Sequence, residues 1–167
     1  MDRSRFTLYA VGIILIILAW AGGGHDITNY APYYVQRALG KSATVQVQGQ
    51  VFKVEVERSE SAREKGLSGR RLLVDSRGML FLFDTPGMYE FWMKDMRFSI
   101  DIVWIVQGKI VDISRNVPAP KAGESPVKVK PRTPADTVLE VKSGTALKWQ
   151  LGDVVTITYD RFLHYGS

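Results

Sequence analysis

Cysteine is absent from the chain. That excludes a disulfide framework, a thiolate nucleophile and a zinc–thiolate site. Histidine is scarce: His25 stands near the N-terminus and His164 in the last few residues. A Ser-His-Asp triad inside the central domain cannot be assembled, and neither can a histidine-rich metal site. There is no Asp-x-Asp-x-Asp-Gly calcium loop. No phosphate-cradling glycine loop appears either, because Gly66-Leu67-Ser68-Gly69-Arg70 follows a helical segment instead of preceding one. Strand–helix–strand units of the dinucleotide-binding kind are also missing. The net charge of +5 is mildly basic and too weak on its own to imply nucleic acid. No cofactor, metal or nucleic-acid partner is expected.

One long apolar run is present, at the N-terminus. Phe6 to Ala21 carries no charge, Arg3 and Arg5 precede it, and no Lys or Arg follows until Arg37. The positive-inside bias keeps the N-terminus in the cytoplasm and carries the rest of the chain across the membrane. Two readings stand for residues 1–21. A cleaved signal peptide is supported by the small-x-small exit Ala19-Trp20-Ala21. An uncleaved anchor needs about 17 to 25 apolar residues, and it is preferred because Trp20 resembles an interfacial anchor. Both leave the remainder extracytoplasmic. Residues 22–43 read as a linker with a tyrosine cluster, 44–160 as a β domain and 161–167 as a tail.

Within the domain the apolar period is two. Val45 and Val47, then Phe52, Val54 and Val56, predict a hairpin around Gly49-Gln50. Ser59 to Gly66 predicts a short helix, capped by Ser59 or by a Ser61–Glu64 capping box. Gly78 to Phe83 is apolar on both faces and reads as a central strand. Tyr89 to Asp95, Ile100 to Val106 and Ile110 to Ile113 read as further strands, the last two joined by a tight turn at Gln107-Gly108-Lys109. Five of the seven prolines lie between Pro118 and Pro134, a long basic surface loop or irregular edge. Thr137 to Val141 and Val154 to Tyr159 complete the strands. The tally points to a mainly β domain, an antiparallel β-sandwich of jelly-roll-like type with one or two short helices.

Phe91 to Ile102 concentrates the unusual chemistry, with large apolar groups beside two cations and two carboxylates. As a strand it places Trp92, Lys94 and Met96 on one face. An exposed Trp92–Lys94 pair suits sugars, carboxylates or peptides; equally, Trp92 is core and Lys94 snorkels past it. Asp101 faces away from Ile100 and Ile102, beside Val103 and Ile105. An acid there needs partners, either Arg63 or backbone amides. Asp95, Asp101, Glu90 and Asp84 are the best candidates for an acid–base pair of the glycosidase kind, though salt bridging is the commoner use of such carboxylates.

Arg63-x-x-Gly66-Leu67, Gly78-Met79-Leu80-Phe81, Phe91-Trp92-Met93-Lys94, Asp101-Ile102, Leu139-Glu140 with Gly144, and Gly152-Asp153 occur in one order and spacing. In these six blocks, from Thr44 to Tyr159, the chain resembles the family called domain of unknown function 192. The resemblance implies a compact β-sandwich, often exported or membrane-tethered, and a site, but no reaction. The chain departs from the family pattern at Ser68, Asp95, Met96 and Ser99. The leading expectation is a non-enzymatic, membrane-anchored extracytoplasmic module. It binds an envelope glycan, peptide or protein through Arg63, Trp92, Lys94 and Asp101. The alternatives are a hydrolase of envelope polymer using Asp95, Asp101 or Glu90, and a scaffold without a ligand.

Overall fold

The computed structural model describes residues 41–160. The expected N-terminal anchor or signal peptide, most of the linker and the tail lie outside the described residues. Among the described residues no helix is long and apolar enough to cross a membrane.

Among the described residues nine strands form in chain order: β1 Ser42–Val47, β2 Gln50–Glu57, β3 Arg77–Gly87, β4 Phe91–Trp92, β5 Ile100–Val106, β6 Lys109–Val117, β7 Lys128–Val129, β8 Ala135–Lys142 and β9 Val155–Tyr159. One helix, α1 (Glu60–Lys65), and a 3-10 turn at Thr145–Lys148 interrupt them. Ser59 is the α1 cap, its side chain accepting from the Ala62 amide at 3.3 Å. Two-residue turns at Gln48-Gly49 and Gln107-Gly108 have positive φ at both positions. That is the hairpin geometry matching strand twist.

The mainly β expectation holds, but the strands are not stacked as two large sheets. Seven join one sheet in the order β6-β5-β8-β3-β2-β1-β9, and β4 pairs only with β7. The sheet is not wholly antiparallel: β2 and β3 run parallel, because α1 and its flanking turns carry the chain back before β3 starts. The sheet curls until its edges meet at one end. There the Ile110 amide donates to Asp153 O at 3.0 Å and the Val155 amide to Gly108 O at 2.8 Å.

Curling gives the sheet two buried faces. Val45, Phe52, Val54, Leu80, Val103, Ile105, Leu139 and Trp149 fill the inside. Met79, Phe81, Ile102, Trp104 and Val138 cover the outside, under Leu67, Met93 and Met96. Alternation along β3 therefore feeds two cores, which is why Gly78 to Phe83 reads as apolar on both sides. A Cβ at Gly78 would sit 2.6 Å from the Glu140 carbonyl oxygen, so β3 and β8 approach there only through glycine.

The proline-rich segment is tied down. It supplies β7 and packs Ala119 and Val129 on the outer core. Buried Asp112 on β6 fixes its far end. Its carboxylate accepts from the Arg132 amide at 2.8 Å, the Arg132 guanidinium at 2.6 Å and the Ile113 amide at 2.9 Å. Burial pushes this carboxyl upward, but the Arg132 side chain and the two amides outweigh it and hold it below the usual 3.8. The stability this contributes is present above the ordinary value and is lost as pH falls through the lowered one. Asp112→Asn is expected to cost about 2 kcal/mol at pH 7 and to flatten the acid limb of stability. Urea titrations between pH 3 and 6 check this, and an unchanged limb would refute it.

Candidate functional site

On the outer face, a cleft of about 470 Å³ opens between α1 with its following loop and the segment around β4. Ser59 caps a helix only six residues long, which brings Arg63 over β3. The Arg63 guanidinium donates to the carbonyls of Arg58 and Leu82 and lies 4.7 Å from the Phe83 ring centroid. Phe83 stacks on Tyr89 with centroids 3.6 Å apart. Phe91 meets Phe81, Phe83 and Trp104 edge-on. Arg63, Phe83 and Tyr89 thus form one layered wall.

The Phe91-Trp92-Met93-Lys94 segment is a strand for two residues only. Lys94-Asp95 then turns, with Asp95 at φ 56°. The Gly69 amide donates to Asp95 O at 2.9 Å and the Ser68 hydroxyl to Lys94 O at 2.7 Å, clamping the turn to the loop after α1. The expected grouping of Trp92, Lys94 and Met96 on one face is therefore replaced. Met93 and Met96, three apart across the turn, are buried, while Trp92 is 38% exposed and Lys94 is exposed. Lys94 Nζ lies 5.0 Å from the Trp92 ring centroid. Trp92 and Met96 also line a second depression, which contains Lys94 and Asp95.

The basic loop joins this site through β7. Lys128 and Lys130 pair with Glu90 at 2.9 and 3.4 Å. The hydrogen bond from Lys128 leads the interactions that hold Glu90 below the usual carboxyl value. Two features that look separate in sequence, the central motif and the proline-rich loop, meet at one mouth.

Asp101 is elsewhere. It sits on the inner face of β5, is 1% exposed, and accepts from the amides of Asn116 and Ala146, each at 2.8 Å. Of its two expected partners it takes the backbone amides, not Arg63. Arg63, Trp92 and Glu90 line the cleft; Lys94 and Asp95 line the adjoining depression; Asp101 lines neither.

Sequence reasoning overlooks Glu140 as a site residue. It lies on β8, paired laterally with Met79 and Ile102, and lines the cleft although only 7% exposed. Its Oε2 finds no hydrogen-bond partner among the described residues. Burial raises its pKa to about 8, with Arg70 pulling weakly the other way. Arg70 is itself bound by both oxygens of Glu55. The signal available in sequence is an acid within Val138-Leu139-Glu140-Val141, the only charged residue in that buried run.

These features define a small β domain, a curled seven-stranded sheet with a two-stranded ribbon beside it, bearing an aromatic cleft lined by a buried acid. The chain belongs to the DUF192 family, described as an uncharacterized ACR, whose model matches residues 43–157. It is similar to a protein of unknown function from Novosphingobium aromaticivorans, at 32% identity and TM-score 0.57, over 69% of this chain and 83% of that one. It is also similar to a putative transcription regulator from Sinorhizobium meliloti, at 29% identity and TM-score 0.58, over 70% of this chain and 92% of that one. No curated protein matches the chain.

Proposed function

We propose that the protein is a membrane-tethered, extracytoplasmic binding module that recognises an envelope component through the cleft beside α1. The observation that carries this is Trp92 exposed in the cleft with Lys94 beside its ring in the adjoining depression, and Glu90 in the cleft already neutralised by two lysines. Exposed aromatics beside cations favour ligands with flat apolar faces and polar edges. The tether rests on the uncharged run from Phe6 to Ala21 behind Arg3 and Arg5.

The test is a panel of envelope glycans and peptides offered to the full chain and to Trp92→Ala. At least one ligand is expected to bind and to lose about tenfold in affinity in the variant, the scale of one aromatic contact. A panel with no Trp92-dependent ligand would sink the reading. A second reading, hydrolysis of an envelope polymer, is favoured by Glu140, a carboxyl that keeps its proton at neutral pH. It requires product release that disappears in Glu140→Gln.

A further inference from the structure

We propose that the base of this cleft is an uncharged hydrogen-bonding subsite for the acetamido group of an N-acetylated sugar, with the Glu140 carboxyl as its polar contact. The assignment rests on reading the cleft as a binding site, and it names the class of ligand.

A polar atom buried without a partner is rare in a folded protein and asks for an explanation. Glu140 Oε2 is such an atom, in a side chain 7% exposed that lines an open cleft. The charged group whose field acts on it is Arg70, which both oxygens of Glu55 already hold. The cross-strand neighbours of Glu140 are Met79 and Ile102, and Leu67, Met93 and Met96 line the same cleft. A ligand group that completes the missing hydrogen bond, once the carboxyl turns toward the cleft it lines, accounts for it.

The chemistry of that group follows from the charge state. Burial keeps Glu140 protonated at neutral pH. A neutral carboxyl offers one O–H donor and one carbonyl acceptor side by side. An acetamido group meets it with its carbonyl, which accepts the carboxyl O–H; its N–H lies trans to that carbonyl and is left for a partner on the cleft wall. A carboxylate or phosphate would need a cation at the base, and Arg70, the cation whose field acts on Glu140, is engaged by Glu55. The methyl of an acetamide would find Leu67, Met93 and Met96. Above the base stand the stacked Phe83–Tyr89 pair and Trp92, whose faces suit the C–H face of a pyranose. A cleft of about 470 Å³ lies within the size range of small-ligand sites. A peptide held through its main chain would ask for a row of backbone partners, whereas this base presents one carboxyl beneath aromatic walls.

The groups facing Glu140 set the pH dependence. Arg70 with Glu55, and Glu57 farther along β2, lie on the sheet side. Glu60, Arg63, Glu64 and Lys65 come from α1, and Glu90 and Lys128 from the segment around β4 and β7. Tyr89 stands in the wall above. Glu140→Gln removes the titration of Glu140 alone, so a pH dependence present in wild type and absent in that variant reports Glu140.

The experiment measures binding of a chitin trisaccharide, its glucosamine counterpart and an asparagine-containing envelope peptide to the full chain by calorimetry. The trisaccharide alone is expected to bind at pH 7, with affinity falling at least threefold by pH 9. Glu140→Gln, which keeps a donor and an acceptor, is expected to bind within threefold of wild type with no pH dependence over that range. Glu140→Met is expected to lose tenfold or more while melting cooperatively. Equal binding of the glucosamine oligomer, displacement of the sugar by the peptide, or full affinity in Glu140→Met would overturn the assignment. So would failure of the trisaccharide while another envelope ligand binds in a Trp92-dependent way, a result that leaves the binding function standing. Absence of any Trp92-dependent ligand removes both.

Discussion

Replacing Glu140 by methionine is expected to stabilise the protein, with a gain that grows as pH rises. In the folded chain this carboxyl titrates at about 8, against an ordinary value of 4.5. Below the ordinary value both states carry the proton and the group is indifferent to pH. Between the two values the folded state keeps a proton that the unfolded state has released, so stability falls as pH rises. Above about 8 the folded state has lost it too, and the deficit levels off on the order of 4 to 5 kcal/mol. Methionine has similar length, satisfies an apolar wall and removes both the titration and the orphaned oxygen. Urea midpoints of wild type, Glu140→Met and Glu140→Gln at pH 5, 7 and 9 give the answer. Wild type is expected to lose stability relative to both variants across that interval, with Gln below Met throughout. Parallel curves would mean that Glu140 titrates normally and is not buried as described.

This effect bears on function as well as stability. An acid that destabilises its own fold at neutral and basic pH is an expensive occupant of a core-like position. The five apolar residues around it, Met79, Ile102, Leu67, Met93 and Met96, would accept an aliphatic side chain without rearrangement. Such local conflicts between burial and chemistry concentrate at functional sites.

Much of the β architecture is legible in local sequence. Alternation in Phe52, Val54 and Val56 names the buried face of β2 before any neighbour is known. The turn residues Gly49 and Gly108 announce hairpins because two-residue connections need positive φ. What local pattern does not carry is partnership. The parallel pairing of β2 with β3, and the antiparallel pairing of Phe91–Trp92 with Lys128–Val129, join stretches whose periodicity says nothing about which strand lies alongside. The turn at Lys94-Asp95 escapes for a related reason. Its stability comes from the Gly69 amide and the Ser68 hydroxyl, a loop more than 20 residues earlier. Trp92 and Lys94 remain recognisable as a candidate surface, since a lysine beside a tryptophan is an unusual core. Glu140 is not recognisable, because one acid in a buried strand is informative only once its missing partner is seen.

Asp101→Asn is expected to lower stability by roughly 2 to 4 kcal/mol, and Asp101→Ala by roughly 3 to 5, although neither touches the cleft. The cause is a register shift between β5 and β6: Ile100 pairs with Val117, but Ile102 pairs with Ser114. The extra residue on β6 leaves the Asn116 amide pointing at no ladder carbonyl, and Asp101 Oδ1 accepts it at 2.8 Å. Its other oxygen accepts from the Ala146 amide at 2.8 Å, at the 3-10 turn. That turn leads into Trp149, 2% exposed, which closes the inner core against Phe52 with centroids 5.6 Å apart. One carboxylate thus satisfies two amides and couples a bulge to a lid over the core. Alanine leaves both donors unpaired. Asparagine keeps one oxygen but turns its own N–H groups toward the second amide, so a charge-matched acceptor becomes a donor–donor contact. Denaturant unfolding measures the loss, and iodide quenching of Trp149, with Trp20, Trp92 and Trp104 replaced by phenylalanine, reads the local effect. Because Asp101 lies on the inner face and lines neither depression, ligand affinity in the folded variant is expected to match wild type. Unchanged stability in Asp101→Asn would overturn the structural role, and a selective loss of binding would return Asp101 to the site.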